Sequence, residues 1–273
     1  MDNQPTTSID KRSKIKEYLK LREIFDQKDE TGFKSIHEIG IDYKTTEMGI
    51  FLAAETVFLY KLFQDLISKG FLNPTQPFLD AGSGDARVNH MATLNGVENS
   101  IGIEYSPEII EKSKKQTQAF EDAEIIEKDC VKLIQGDFTE IETYTQNGLD
   151  IKNIKVFFNY INGWKELVNF IDKNSPVGIK IILIDEQFNT SRRITEEISK
   201  YKSIELKEPI KYIYNKDKND AELLTPELLN KIKESDNLIE KHHIHVDVSA
   251  SGQFSITETN YRVITVYLFE KVS

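Results

Sequence analysis

The amino-acid sequence predicts an α/β protein: a doubly wound, mostly parallel seven-stranded sheet with a C-terminal antiparallel hairpin, plus N-terminal helices. Three observations carry that prediction. Strand-like apolar runs alternate with helical stretches from Phe78 to about residue 202, the pattern of a parallel sheet with helices on both faces. A glycine turn, "FLDAGSGDARV" at 78–88, follows the first of those strands at once. The last two strand-like runs, "HIHVDVSASG" and "YRVITVYLFEK", are joined by a short loop, so they pair as an antiparallel hairpin.

The first ten residues are polar and expected to fray. From Lys11 to Gln27, Ile15, Tyr18, Leu19 and Phe25 fall near helical spacing among many charges. A connector with Gly32 and Gly40 leads to "IDYKTTEMG", where Thr45 or Thr46 can cap a second helix with Glu47 in its first turn. That helix is expected over about 46–69, ending at Gly70. Residues 1–75 thus read as an N-terminal helical segment and 76–273 as the sheet-bearing domain.

Within the domain, "PFLDAG" precedes a helix near 86–94, and "SIGIEYS" precedes one opening at Ser106-Pro107, where serine suits the cap and proline the first helical position. "VKLIQGDF" is a third strand and "IKVFFNYI" a fourth, followed by the helix "WKELVNFIDK". A fifth, "GIKIILIDE", leads to a helix near 190–202. An insert at about 203–238, with "IELKEPIKYIYN" and the helical "TPELLNKIKES", is expected beside the carboxyl edge of the sheet.

At 273 residues the chain can bury a sizeable core, and 39% hydrophobic residues are compatible with a folded protein. Acids outnumber bases by 45 to 35, and no basic block interrupts that balance, which argues against a nucleic-acid partner. The single cysteine, Cys130, excludes an internal disulfide framework and a multi-cysteine zinc site. The start "MDNQPTTSIDKRSK" lacks the apolar region of a secretory signal, and the longest apolar runs are strand-sized. A soluble, cytoplasmic protein with no membrane partner is expected. His243, His245 and Asp247 would share one face of a strand, a possible metal set, but a solvated strand face shows the same spacing, and no metal is expected. Nothing in the sequence sets the oligomeric state.

In an open parallel sheet the loop after the first strand meets the ligand, and Gly82 and Gly84 allow the backbone a close approach. Glu104, 24 positions after Asp80 (104 − 80), ends the second strand where a carboxylate can accept from ribose hydroxyls. Asp137 ends the third strand, where an adenine amino group would lie, and "FFNY" ends the fourth. The dinucleotide fingerprint G-x-G-x-x-G is incomplete here, since Arg87 stands at the third glycine. Asp85 would place a negative charge near a diphosphate without a compensating cation. A cationic ligand suits the turn better, and the sulfonium and amino groups of S-adenosylmethionine supply one.

At these residues the chain resembles the class I, Rossmann-like S-adenosylmethionine-dependent methyltransferases. The resemblance covers about 78–188, and the final hairpin fits the family's reversed last strand. "FLDAGSGDAR" is similar to the first motif, especially the D-x-G-S-G-D-G-R form of non-SET protein-lysine methyltransferases. "GIEYSPE" resembles the second motif, "QGDF" the third, and "VFFNYING" lies where the fourth belongs. Two departures stand out: Ala86 replaces a usual glycine, and the fourth motif lacks the N-P-P-Y form of amino-group methylases.

The resemblance implies S-adenosylmethionine as cofactor and a methyltransferase activity. Asp80, Ala81, Gly82, Ser83 and Gly84 would surround its methionine part, Glu104 would bind the ribose, and Tyr105 would lie beside the adenine. Asp137 and Phe138 would hold the adenine's amino edge and face. Asn159 and Tyr160 would sit nearest the transferred methyl as candidate catalytic residues. Tyr43, Thr46 and Glu47 would close over the cofactor, unless they are a helix cap and a packed tyrosine. The expected methyl acceptor is a protein side chain, with lysine as the candidate, approached through an aromatic channel of Phe157, Phe158, Tyr160 and Trp164. Core packing is the competing reading of Phe157 and Phe158. A small-molecule acceptor, or a non-catalytic cofactor-binding scaffold, is the alternative.

Overall fold

The computed structural model describes residues 8–28, 34–36, 41–46, 49–52, 54–160, 162–185, 191–207, 209–215, 218–228 and 261–273. The N-terminal elements are helix α1 (Ser8–Lys28), strands β1 (Lys34–Ile36), β2 (Ile41–Thr46) and β3 (Gly49–Leu52), and helix α2 (Thr56–Ser68). Then come β4 (Phe78–Ala81), α3 (Arg87–Leu94), β5 (Ser100–Glu104), α4 (Pro107–Asp122), β6 (Val131–Gln135) and α5 (Ile141–Thr145). They are followed by β7 (Val156–Tyr160), α6 (Trp164–Asn174), β8 (Lys180–Asp185), α7 (Ser191–Ile198), β9 (Ile204–Leu206), β10 (Ile210–Asn215), β11 (Asp220–Leu223) and β12 (Tyr261–Lys271).

The large sheet runs β11-β10-β12-β8-β7-β4-β5-β6, with β9 paired to β12. From β8 to β6 the pairs are parallel, and β12 runs antiparallel to β8 with Thr265 opposite Asp185. The predicted fold class is therefore observed, with the reversed last strand in place. The chain order reverses at β4, which lies between β5 and β7, and this puts a crevice at the carboxyl ends of those strands.

Alternating side chains of the buried strands feed two cores, one on each face. Phe78, Phe158 and Ile182 join Phe58, Leu59, Leu62 and Phe63 of α2, Met91 of α3 and Phe120 of α4. On the other face Leu79, Phe157 and Ile181 join Tyr144 of α5, Leu167 and Ile171 of α6, and Ile194 and Ile198 of α7. Tyr18 of α1 belongs to the first core, so α1 and α2 share one interior with the sheet. The buried Lys271 ammonium ends β12 and donates to the carbonyls of Asp172 (2.5 Å) and Ser175 (2.7 Å), satisfying the carboxyl end of α6.

The helix expected over 46–69 begins only at Thr56. Ile41–Thr46 and Gly49–Leu52 form an antiparallel β2–β3 pair with Thr46 opposite Gly49. The β-branched and aromatic content of "IDYKTT" and "GIFL", with a glycine beside the reversal, favours extended backbone over the cap-and-helix reading. The insert supplies strands: β10 pairs with both β11 and β12, and the sheet grows to nine strands. Most of "TPELLNKIKES" and all of "HIHVDVSASG", with His243, His245 and Asp247, lie outside the described residues. Among the described residues no group of His, Cys, Asp and Glu could hold a metal ion, and no helix is long and apolar enough to cross a membrane.

Candidate functional site

The turn after β4 is built on positive backbone angles. Gly82 has φ +82°, Gly84 +52° and Ala86 +62°. The amides of Gly82 and Ser83 both donate to the carbonyl of Ile103 at 2.9 Å, which fastens the turn to β5. Gly82 is exposed, whereas Ser83 and Gly84 are buried. Ser113 of α4 donates to the Gly84 carbonyl at 2.7 Å and the Gly84 amide donates to Glu104 Oε2 at 2.9 Å. Gly82 is thus the turn residue whose backbone a ligand can reach, and Gly84 lets the chain pass beneath it. Ser83 is buried and its Oγ has no hydrogen-bond partner; a Cβ on Gly102 of β5 would lie 2.8 Å from both Ser83 Cβ and Asn89 Oδ1.

Asp80 is fully enclosed near the end of β4, and its Oδ1 has no hydrogen-bond partner. Burial pushes its pKa well above the ordinary carboxylate range, and the charges of Glu104 and Asp85 add to the shift. Beside it on β7, Asn159 is 1% exposed. Its Nδ2 donates to the carbonyls of Ala81 (2.6 Å) and Asn162 (2.8 Å). Two carbonyls can only be faced by the amide nitrogen, so Oδ1 is directed away from them, and it too has no partner. Two buried acceptors without donors therefore stand near the carboxyl ends of β4 and β7, Asp80 on the strand face of Phe78 and Phe158 and Asn159 on that of Leu79 and Phe157. Each calls for a donor, and the Asp80 carboxyl suits an ammonium best.

Glu104 is half-buried at the tip of β5, and Oε1 accepts from the Ser106 amide at 2.9 Å. Burial raises its pKa despite the backbone donors that lower it. Each oxygen retains a lone pair, enough for two ribose hydroxyls. Asp137 Oδ1 accepts from Thr139 N (2.8 Å) and Oγ1 (2.6 Å), so its other oxygen remains for an amino group. Tyr105 is 44% exposed beside Glu104. The Phe138 ring is close to two glycines: an added Cβ would lie 3.9 Å from it at Gly82 and 2.8 Å at Gly163. Phe138 is therefore the apolar floor joining the glycine turn to the start of α6.

Phe157 and Phe158 are wholly buried, one in each core, so neither can line an aromatic channel. Tyr160 and Trp164 remain half-buried at the carboxyl end of β7 and the start of α6. Tyr43 and Thr46 fall on β2, and Glu47 lies outside the described residues.

The sequence reading of Asp85 is corrected. Its carboxylate is paired with Arg22 of α1 and with Arg87, whose Nη2 is 2.6 Å away. Burial would raise its pKa, but the two guanidinium groups outweigh this and hold it below the usual range. Two compensating cations are therefore present, and Asp85 supplies no argument against a diphosphate. The acidic character of the crevice rests on Asp80 and Glu104 instead. Arg22 was not recognisable as a partner, because its i,i+4 spacing to Asp26 reads as an exposed helix pair.

The partnerless Asp80 Oδ1 and the remaining lone pairs of Glu104 and Asp137 are chemically compatible with the N–H and O–H donors of S-adenosylmethionine. No family model matches the chain, and no curated protein matches it. Solved structures similar to it include a precorrin-6y C5,15-methyltransferase from Geobacter metallireducens, 14% identical over 78% of this chain and 88% of that one, with a TM-score of 0.44. An RNA methyltransferase from Salinibacter ruber is 22% identical over 46% of this chain and 74% of its own, with a TM-score of 0.37. A protein of Pyrococcus horikoshii provisionally described as an RNA methyltransferase is 12% identical over 79% and 84%, with a TM-score of 0.47. The expectation that excluded a nucleic-acid partner is corrected by these two descriptions, since net charge alone does not separate the chain from proteins so described. The specific likeness to non-SET protein-lysine methyltransferases gains no support from these structures. The doubly wound fold rests on the chain's own sheet order, parallel from β8 to β6 with β12 reversed.

Proposed function

We propose that the chain is an S-adenosylmethionine-dependent methyltransferase whose acceptor is a small molecule. The observation that carries the cofactor is the buried, partnerless acceptor Asp80 Oδ1 just before the glycine turn, with the Glu104 carboxylate near enough to act on it. A diphosphate offers only acceptors of its own there, whereas an ammonium donates to the carboxylate. When bound, S-adenosylmethionine supplies an activated methyl for in-line displacement, a reaction in which the protein mainly orients the partners and excludes water.

Asn159 orients through Oδ1 because its nitrogen is committed to two carbonyls. Glu104 holds hydroxyls at the rim, and Phe138 keeps water from the floor. Tyr160 and Trp164 border the acceptor's approach from β7 and α6. Burial of Phe157 and Phe158 removes half of the aromatic channel that a lysine acceptor would use, which favours a small acceptor over a protein side chain.

Incubating the protein with methyl-tritiated cofactor and whole-cell extract, then separating small molecules, protein and nucleic acid, tests the reading. Label in the small-molecule fraction is expected. Label confined to protein or to nucleic acid would overturn the acceptor, and no transfer to any fraction would overturn the activity.

A further inference from the structure

Behind the glycine turn lies a charged cluster that the proposed reaction does not use. Arg22 projects from α1 and is 5% exposed, an unusual burial for a guanidinium. Its three nitrogens are all engaged: Nε with Asp26 Oδ1 at 3.0 Å, Nη1 with Gln116 Oε1 of α4 at 2.8 Å, and Nη2 with Asp85 Oδ2. Arg87 approaches the same carboxylate through Nε at 2.9 and 3.0 Å, and its Nη1 donates to the Ala54 carbonyl at 3.0 Å. The Arg87 amide also donates to Asp85 Oδ1 at 3.2 Å, at the first turn of α3.

Asp85 sits between two left-handed residues, Gly84 and Ala86. A non-glycine residue in that conformation costs about 1–2 kcal/mol, so the turn needs outside support to persist. The carboxylate is the one side-chain handle between those two positions. Drawn towards two guanidinium groups and the α3 amide, it is turned away from the crevice. Gly82 is left as the exposed residue of the turn.

We propose that Arg22 is a positioning residue for cofactor binding: from an N-terminal helix, 63 residues upstream, it holds Asp85 and thereby the Gly82–Ala86 turn in its binding conformation. The inference rests on the S-adenosylmethionine reading above. It assigns a cofactor-linked role to a helix that contributes no residue to the crevice. Removing Arg22 leaves Asp85 one guanidinium, and the turn pays for its left-handed angles at each binding event.

Trp164 is the only tryptophan and adjoins Gly163 beneath Phe138, so its fluorescence reports on the site. Titration with S-adenosylhomocysteine would compare the wild type with Arg22→Met, Arg22→Lys and Tyr18→Phe. The last variant, on the same helix as Arg22, removes a hydroxyl whose hydrogen bond is to His90 and not to Asp85. Arg22→Met is expected to weaken binding about tenfold, equivalent to about 1.4 kcal/mol. Arg22→Lys, which keeps the charge but not the fork, should recover part of the loss. Tyr18→Phe should lower the melting temperature yet bind within about twofold of wild type. In an Asp85→Asn background Arg22→Met should add little further loss, as expected of two residues acting together. Should Arg22→Met not fold, Arg22→Lys alone decides, with a loss of about threefold or more expected. Unchanged affinity in the Arg22 variants, or an equal loss in Tyr18→Phe, would overturn the positioning role while leaving the cofactor reading intact. A wild type that binds no S-adenosylhomocysteine would overturn both.

Discussion

Asn159 Nδ2 lies 2.6 Å from the carbonyl oxygen of Ala81, and this bond joins the tips of β7 and β4 across the point where the chain order reverses. The same amide group therefore ties the two strand ends to Asn162 as well, leaving its oxygen without a partner.

Asn159→Asp is nearly isosteric but sets carboxylate lone pairs against the carbonyls of Ala81 and Asn162. Two buried acceptors lose their donor, at about 1–3 kcal/mol each. The expected result is a melting temperature lower by roughly 5–10 °C in a thermal scan monitored by circular dichroism. An unchanged melting temperature would show that the clamp contributes nothing.

Gly163 and Gly82 both have positive φ, +73° and +82°, but their surroundings differ. A Cβ on Gly82 meets its neighbours at 3.9 Å, whereas one on Gly163 would collide with Phe138 Cζ at 2.8 Å. Gly82→Ala should cost about 1–2 kcal/mol through backbone strain alone. Gly163→Ala should cost about 1 kcal/mol more, because the ring must move as well. Urea midpoints of the two variants compare them directly, and a smaller loss for Gly163→Ala would contradict this geometry.

Ala86 occupies a left-handed position, φ +62°, just before α3. The fold places it where glycine is at ease, which explains why that substitution is a departure from the motif. Ala86→Gly should raise stability by up to about 1 kcal/mol, less whatever unfolded-chain entropy glycine adds. A lower urea midpoint would contradict this.

His90 is fully buried between Tyr18 Oη (3.1 Å) and Thr117 Oγ1 (2.8 Å). Burial and the nearby Arg22 depress its pKa to about 3. The native ring is neutral, so the unfolded chain binds the extra proton between about pH 3 and 6.5, and stability falls as pH falls through that window. The loss should reach a few kcal/mol on linkage grounds. His90→Gln, which keeps both kinds of hydrogen-bonding group, should flatten the pH dependence of the urea midpoint over this range. An equally steep profile in that variant would assign the acid sensitivity elsewhere.

The sheet was legible because its strands are short apolar runs separated by glycine turns and well-marked caps. Ser106, for example, has extended backbone and accepts from the Ile109 amide, and Pro107 follows it. The start of the helix expected over 46–69 was misplaced because "TTE" carries a cap signal that pairing between β2 and β3 overrides. Asp80, Glu104, Asp137 and Asn159 were legible as polar residues ending four consecutive strands, and they lie at or just beyond the carboxyl ends of β4, β5, β6 and β7. What sequence spacing does not reveal is direction. Ser83 is buried, Asn159 commits its nitrogen to backbone, and Asp85 is claimed by an arginine 63 residues away. Those outcomes depend on packing between elements distant in the chain.

Calorimetric titration with S-adenosylmethionine tests the central claim most directly. The wild type should bind it, and Asp80→Asn and Glu104→Ala should each weaken binding about tenfold or more, the cost of losing a charge-assisted contact. Because burial raises the Asp80 pKa, a cationic ligand that favours the ionised carboxylate should also release protons on binding at a pH below that raised value. No binding heat with the folded wild type in buffers of two ionisation enthalpies, or equal affinity in both variants, would contradict the account.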